Sequence, residues 1–302
     1  MKRDPARQRL PKLWHTLSAL VTLLALVLGG CRGALKPLDP GEGEADEEGR
    51  LGTPILVRMA VSWSALPLAE ELIAAYAQVA PGSSVDMMPS SSEVGEGLVR
   101  AGRTDLAIVE QAPGAEEITT SAEGKERKAT GPTTLALNAI GVIVHKDSPL
   151  SQLSSADLAN LFLGYYLDWE ELGAGQGHIE IVSQGAHTMA RKLFEEKILK
   201  GQPTSSAAIV MPHDHGVLEY VAQHQGAIGY LSASYIDGRV KLLAIDGVLP
   251  QAAEVAQGRY PLAHPLVLLV APHAQPEALR LAAFASSTKG RQAIAKRYAL
   301  PR

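Results

Sequence analysis

Two kinds of apolar pattern follow one another along this chain: short solid runs, and longer stripes at helical spacing. Residues 55–61 read as a buried strand. Residues 67–79 read as a helix with Leu68, Leu72, Ala75 and Tyr76 on one stripe, and Pro67 suits its first turn. Residues 83–88 and 106–109 read as strands flanking a helix over 94–101, for which Gly102 is a plausible C-cap. The polar stretch 116–128 reads as a surface loop, and the apolar run 135–144 as a long strand. Ser155 is a candidate cap for a helix reaching residue 163, and 189–199 and 217–223 are helical in pattern. The run 226–230 reads as a strand with a sharp start where only glycine tolerates the backbone. Residues 240–245 close on the turn signal Asp246-Gly247, residues 267–270 suit a strand buried on both faces, and 278–297 is mostly helical. Alternation of this kind predicts an α/β architecture.

The first 52 residues break that pattern. Lys2, Arg3, Arg7, Arg9 and Lys12 precede an apolar run over 17–28, of signal-peptide length and too short for a comfortable membrane span. It ends in Leu28-Gly29-Gly30-Cys31, which resembles a bacterial lipobox and implies that Cys31 is lipidated and becomes the new N-terminus. Cys31 is the single cysteine, so an internal disulfide is impossible. Arg32, where aspartate would suggest inner-membrane retention, leaves the cell membrane or the outer membrane open. Residues 32–52 are rich in Pro, Gly and acid and predict an extended, disordered tether.

Charge then narrows the function classes. The chain has a formal charge of −4; its first 30 residues carry five basic side chains and one acidic, net +4, so the remainder stands at −8. No basic run survives beyond the leader, which argues against nucleic-acid binding. An aromatic content of 5% argues against a stacking platform for sugars or bases. About 250 residues remain beyond leader and tether, enough for two lobes. There is no G-x-S-x-G elbow, no phosphate-cradling Lys-Ser/Thr loop and no paired Cys/His nucleophile, so an enzyme is not expected, nor is a cofactor.

The order of several sequence words carries a family resemblance. Gly226-Ala227-Ile228-Gly229-Tyr230, Ile245-Asp246-Gly247-Val248, and Tyr260-Pro261-Leu262 with His264-Pro265-Leu266 resemble the AIGY strand, the IDGV turn and the YPLxRPL crossing strand of the phosphate ABC-transporter substrate-binding proteins. Val142-Ile143-Val144 ahead of Ser148-Pro149, Leu161-Phe162 to Gly173, and Phe284 to Ile294 match further words in the same order, so the resemblance covers residues 55–302. It implies a two-lobed type II periplasmic-binding-protein fold with two crossing strands as hinge. Lobe 1 would hold residues 53–134 and 266–302, and lobe 2 residues 135–265. Trp169 is expected to pack in the second lobe.

The resemblance also implies a ligand site, carried over loop by loop. Ser62 and Ser64 keep hydroxyls ahead of the first helix, where helix capping alone is an equal reading. Ser92 falls on a family serine, whereas Glu93 replaces a glycine and brings negative charge toward an arriving anion. Glu110 sits where one subgroup has a proton-accepting aspartate, with a solvated loop glutamate as the alternative. In the fourth loop Thr188 keeps a hydroxyl and Arg191 keeps the second arginine; Gln184 replaces the first arginine, and Met189 replaces part of a Gly-Thr pair. A site of this kind binds an oxyanion through helix N-termini, hydroxyls and an arginine fork, and a carboxylate selects protonated forms. The expected partners are phosphate or another small oxyanion, an ABC-transporter permease and the membrane through the lipid anchor, with the protein a monomer. The alternatives are a degenerate binding or sensor lipoprotein on the same scaffold, and a transition-metal site built from His187, His213 and His215 with Glu110. The expectation is no metal and an extracytoplasmic, lipid-anchored location.

Overall fold

Residues 55–111 and 132–302 are described in the computed structural model. The leader, Cys31, the tether and the polar segment 116–128 lie outside the described residues. In chain order the elements are β1 (Ile55–Ser62), α1 (Leu66–Ala77), β2 (Ser83–Ser90), α2 (Ser92–Arg100), β3 (Leu106–Glu110), β4 (Thr133–His145), β5 (Gln152–Leu153) and α3 (Ser155–Phe162). There follow β6 (Glu180–Gln184), α4 (Met189–Lys197), β7 (Ile209–Met211), α5 (Asp214–Gln223), β8 (Ala227–Ser232), β9 (Val240–Ile245), α6 (Ala252–Ala256), β10 (Ala263–Val270), α7 (Pro276–Ser286) and α8 (Thr288–Ile294).

The strands run in the order β2-β1-β3-β10-β4-β8-β6-β7, with β9 joining β4 to β5. Two parallel groups result, β1 with β2 and β3, and β6 with β7 and β8. The antiparallel β10 and β4 lie between them. β4 passes from one core to the other. Leu135 and Ala136 pack with β1, α1, β3, α7 and α8, whereas Ala139 onward packs with α3, α4 and β8. The chain returns through Tyr260 and Leu262 in the second core and Leu266 in the first. This is the two-lobed type II periplasmic-binding-protein fold, and β4 with β10 are its crossing strands.

Local sequence explains most element boundaries. Pro67 opens α1, which buries Leu68, Leu72 and Tyr76. The N–H of Gly102 reaches the Val99 carbonyl from a left-handed φ of 64°, a conformation that suits glycine at a helix end. The cap of α3 is Ser154, not Ser155: its hydroxyl accepts the Asp157 N–H at 3.0 Å while donating to the Asp157 carboxylate. The 278–297 pattern is two helices, because Ser287 leaves the helical conformation and its hydroxyl caps α8. Gly226 is needed for a reason other than backbone freedom. A Cβ there would stand 2.5 Å from the His178 carbonyl oxygen, so the requirement is close approach of two chains. Trp169 is buried in the second core and donates its indole N–H to the Gly226 carbonyl at 3.1 Å. Phe162, Phe194 and Tyr230 interlock there, the last two stacked at 4.2 Å.

In the first lobe, Glu277 of α7 is buried, accepts hydroxyl hydrogen bonds from Ser83 and Tyr76, and pairs with Arg280. The Ser83 and Tyr76 hydroxyls bring its carboxyl from 4.5 down to about 2. A depressed folded-state value contributes stability above the unfolded value, and that contribution is lost as pH falls through the folded one. Glu277→Gln is therefore expected to lower the denaturation midpoint at neutral pH. It should also flatten the loss of stability that the unaltered protein shows between pH 4.5 and about 2. Urea melts across that range would check both.

Candidate functional site

Parallel strands place their carboxyl ends on one side of each lobe, where the following helices begin and ligand crevices form. Here those ends meet across the junction of the lobes. The end of β1 leads into the Trp63–Ala65 turn, β2 ends at Ser90 before α2, and β3 ends at Glu110. From the other lobe, β6 ends at Gln184 before α4, and β7 leads through Pro212 and His213 into α5. One cavity of about 400 Å³, counting its open mouth, is lined by residues from all five ends.

The first residues of three helices, α2, α4 and α5, belong to that lining. Helix starts expose N–H groups without internal partners and carry the positive end of the peptide dipoles. Ser91 caps α2 and Thr188 caps α4, each accepting a first-turn N–H. The Thr188 hydroxyl also donates to the Gly185 carbonyl at 2.9 Å.

Two carboxyl groups face the same space, and their environments push them apart. Burial opposes ionisation of Glu110, but the hydrogen bond and charge of His264, with hydrogen bonds from Ser64 and Ser92, outweigh it and hold the carboxyl below its usual range. Its Oε1 accepts Ser64 Oγ at 2.7 Å and stands 3.1 Å from His264 Nε2, and its backbone N–H donates to Ser92 Oγ at 2.9 Å. Asp214 behaves oppositely. Burial raises it, the Glu110 charge adds to the rise, and the Ser232 N–H at 2.6 Å only partly offsets them. One acid is thus kept ionised and its neighbour is biased toward the protonated form.

Of the residues singled out from sequence, Ser64, Ser92, Glu110, Gln184 and Thr188 line the cavity. Ser62 and Arg191 do not. Ser62 is buried at the end of β1 with no partner for its hydroxyl. Arg191 is turned along its own helix to Glu195 at 2.8 Å, with a second bond to the Gln184 carbonyl. Gln184 donates to Asp214 Oδ1 at 3.2 Å and to the Tyr230 carbonyl at 3.3 Å. Among the described residues neither Lys nor Arg lines the cavity. Glu93 lies outside it, with a side chain 82% exposed and 3.8 Å from Lys192 across the mouth. His187 and His213 line the cavity, while His215 faces Glu219 on the surface. Among the described residues no group of three or more His, Cys, Asp or Glu is placed to hold a metal ion.

Three contributors went unread in the sequence as site residues. Asp214 was visible only as a neighbour of two histidines, and His264 only as part of a strand word. An ionisable residue beside the apolar run 266–270 is the signal that could have pointed to His264. Trp63 stacks on His213 with ring centroids 4.8 Å apart, and Tyr235 donates to the Trp63 carbonyl at 2.6 Å, so the Trp63 turn is tied to the second lobe. Only the meeting of the lobes creates these contacts.

A family model described as the PBP superfamily domain matches residues 41–289. The phosphate-binding protein PstS of Bacillus subtilis (strain 168) is 31% identical over 172 residues, 57% of this chain and 53% of that protein. The chain spans about half the length of the curated relatives it matches first. A solved phosphate ABC-transporter substrate-binding protein from Clostridium perfringens, with bound phosphate, superposes with a TM-score of 0.70 at 22% identity, over 82% of this chain and 99% of that one. An ABC-type phosphate transport receptor from Vibrio cholerae gives 0.60 at 21%, over 81% and 100%. At those identities the structural likeness is one of fold. Among the described residues no helix is long and apolar enough to cross a membrane.

The Trp63–His213 stack makes a separate prediction. A double-mutant cycle of Trp63→Ala and His213→Ala, read by urea denaturation, should return a coupling of about 0.5–1.5 kcal/mol. A coupling indistinguishable from zero would mean that the rings do not hold each other.

Proposed function

This chain belongs to the PBP superfamily, and from that premise we infer that it is the solute-binding protein of a phosphate-type ABC transporter. It captures phosphate or a related small oxyanion between lobe 1 (residues 53–134 and 266–302) and lobe 2 (135–265), and delivers it to a permease. The observation that carries this reading is the convergence of the α2, α4 and α5 starts on one cavity, which supplies aligned N–H donors and positive dipole ends for an anion. The phosphate-binding names of the relatives point the same way.

The lining also narrows the ligand. It holds an ionised Glu110 and, among the described residues, no Lys or Arg. A fully deprotonated, multiply charged anion meets repulsion there, whereas a singly charged oxyanion carrying O–H can donate to the carboxylate. The preferred form is therefore protonated and singly charged.

Calorimetry with inorganic phosphate tests the reading. The unaltered protein should bind, and binding should be lost when the cavity is filled by Ala190→Trp. Gln184→Arg alone should give only a small gain, because the buried Asp214 carboxyl that Gln184 already contacts would pair with the new charge. Gln184→Arg with Asp214→Asn should raise affinity about tenfold, the scale of one charge-assisted hydrogen bond. No heat with phosphate, arsenate or a phosphonate would overturn the oxyanion reading.

Cys31 is the proposed lipid anchor, motivated by Leu28-Gly29-Gly30-Cys31 behind a basic and apolar leader. Cys31→Ser should move the protein from the membrane fraction to the soluble one or leave it unprocessed. Mass spectrometry of a mature chain starting elsewhere without lipid would count against the anchor.

A further inference from the structure

Behind the cavity wall stands a group that never touches the space itself. The His264 side chain is 0% exposed, and its Nε2 lies 3.1 Å from Glu110 Oε1, on a carboxylate side chain that is 12% exposed. Glu110 lines the cavity and His264 does not. The other ring nitrogen, Nδ1, is buried with no hydrogen-bond partner. A neutral imidazole with its proton on Nε2 makes the Glu110 bond and leaves Nδ1 as a bare acceptor. An imidazolium makes the same bond and adds a compensating charge. Both states keep the Glu110 bond; they differ in the charge of the pair and in whether the buried Nδ1 carries a proton.

The surroundings leave that charge difference uncompensated. From β3 the ring meets Glu110, and from β4 it meets the neutral Asn138, whose Nδ2 is 3.4 Å from Nε2. Asn138 continues through Ser232 and Ser234 to Tyr298, a chain of neutral hydroxyls. Burial pushes the Tyr298 and Tyr235 phenols upward, so they stay uncharged. Asp214, at the start of α5, is the other acid whose charge bears on Glu110, and burial biases it toward the protonated form. Among the described residues, the ion-pair partner of Glu110 is His264.

We propose that His264 is a specificity-determining positioning residue whose protonation sets, through Glu110, the net charge that the cleft presents to an anion. Oxyanion capture therefore strengthens as pH falls through the titration of the pair. With His264 protonated, the pair is neutral and an anion meets the helix starts and hydroxyls. With His264 neutral, the wall carries an uncompensated negative charge that repels the same anion. By linkage, a bound anion raises the proton affinity of His264 to the same extent. The inference rests on the oxyanion reading given above.

Two measurements test it. The first is nitrogen-15 NMR of the imidazoles in the ligand-free full chain, scanned over the pH range in which the protein stays folded. The His264 ring should change charge state within the scan, and in Glu110→Gln its transition should move to lower pH. The second is calorimetry with inorganic phosphate on the unaltered protein and His264→Gln, at one pH on either side of the transition so found. Glutamine keeps a donor for Glu110 without a titratable charge. Phosphate's own titration is common to both proteins, so the ratio of their affinities isolates His264. That ratio should favour the unaltered protein by about tenfold more at the lower pH. A merely structural role would shift both pH values equally, and such a constant ratio overturns the proposal. So does a His264 that keeps one charge state throughout. If His264 titrates as expected but neither protein binds phosphate at either pH, the phosphate reading is what fails.

Discussion

Glu110 keeps an ionised carboxyl in a place where burial alone would protonate it, and the arrangement of the cleft follows from how that is achieved. Its stabilising bonds come from elements distant in sequence: Ser64 after β1, Ser92 at the start of α2, and His264 on β10. β10 is one of the two strands that cross between the lobes, so the carboxylate is tied directly to the crossing. Beside it, Asn138 on β4, the other crossing strand, accepts the Ser232 hydroxyl, and the chain runs on through Ser234 to Tyr298, which donates to the Ser64 carbonyl. A buried polar chain of this kind is stable only when nearly every member is partnered. Among the described residues the buried side-chain atoms without a partner are His264 Nδ1 and the Ser62 and Thr104 hydroxyls.

A negative group inside an anion-receptive cleft is coherent physically. Helix starts attract anions without regard to how many protons they carry. A fixed carboxylate adds discrimination, because it accepts a bond from an O–H and repels a second unprotonated acceptor. Among the described residues no cation lines the cavity, which pushes the balance further toward singly charged ligands. Arg191, which could have reversed that balance, is held by Glu195 and the Gln184 carbonyl. Glu195 also accepts both the N–H and the hydroxyl of Thr204, so the arginine's charge serves the join between α4 and the loop after it.

Closure of the cleft rests on few contacts beyond the crossing strands. Trp63 stacks on His213, Tyr235 reaches the Trp63 carbonyl, and Glu93 faces Lys192 at the mouth. The last of these is an exposed pair and contributes little. The first two lie beside the cavity, so the same residues that enclose a ligand also join the lobes.

The sequence by itself determined the α/β alternation, most element positions though not β5, β6, β7 or α6, and most of the loops from which the cavity is built. Apolar periodicity is a local property, and caps such as Ser91 and Thr188 act within one helical turn, so both are legible in a linear string. The order of the strand words added the family resemblance and through it the two-lobed fold. Only the tertiary structure decided which polar side chains in those loops face the cavity. Arg191 and Thr188 sit three residues apart on one helix start, yet one turns to Glu195 and the other lines the space. Ser62 and Ser64 are two residues apart, yet only Ser64 reaches Glu110. Glu93 and Glu110 carry the same charge, and solvent takes the first while His264, 154 positions away from the second, holds it in the wall. Such choices depend on partners brought together by the crossing of β4 and β10. No local period or motif records a hydrogen bond made across that distance.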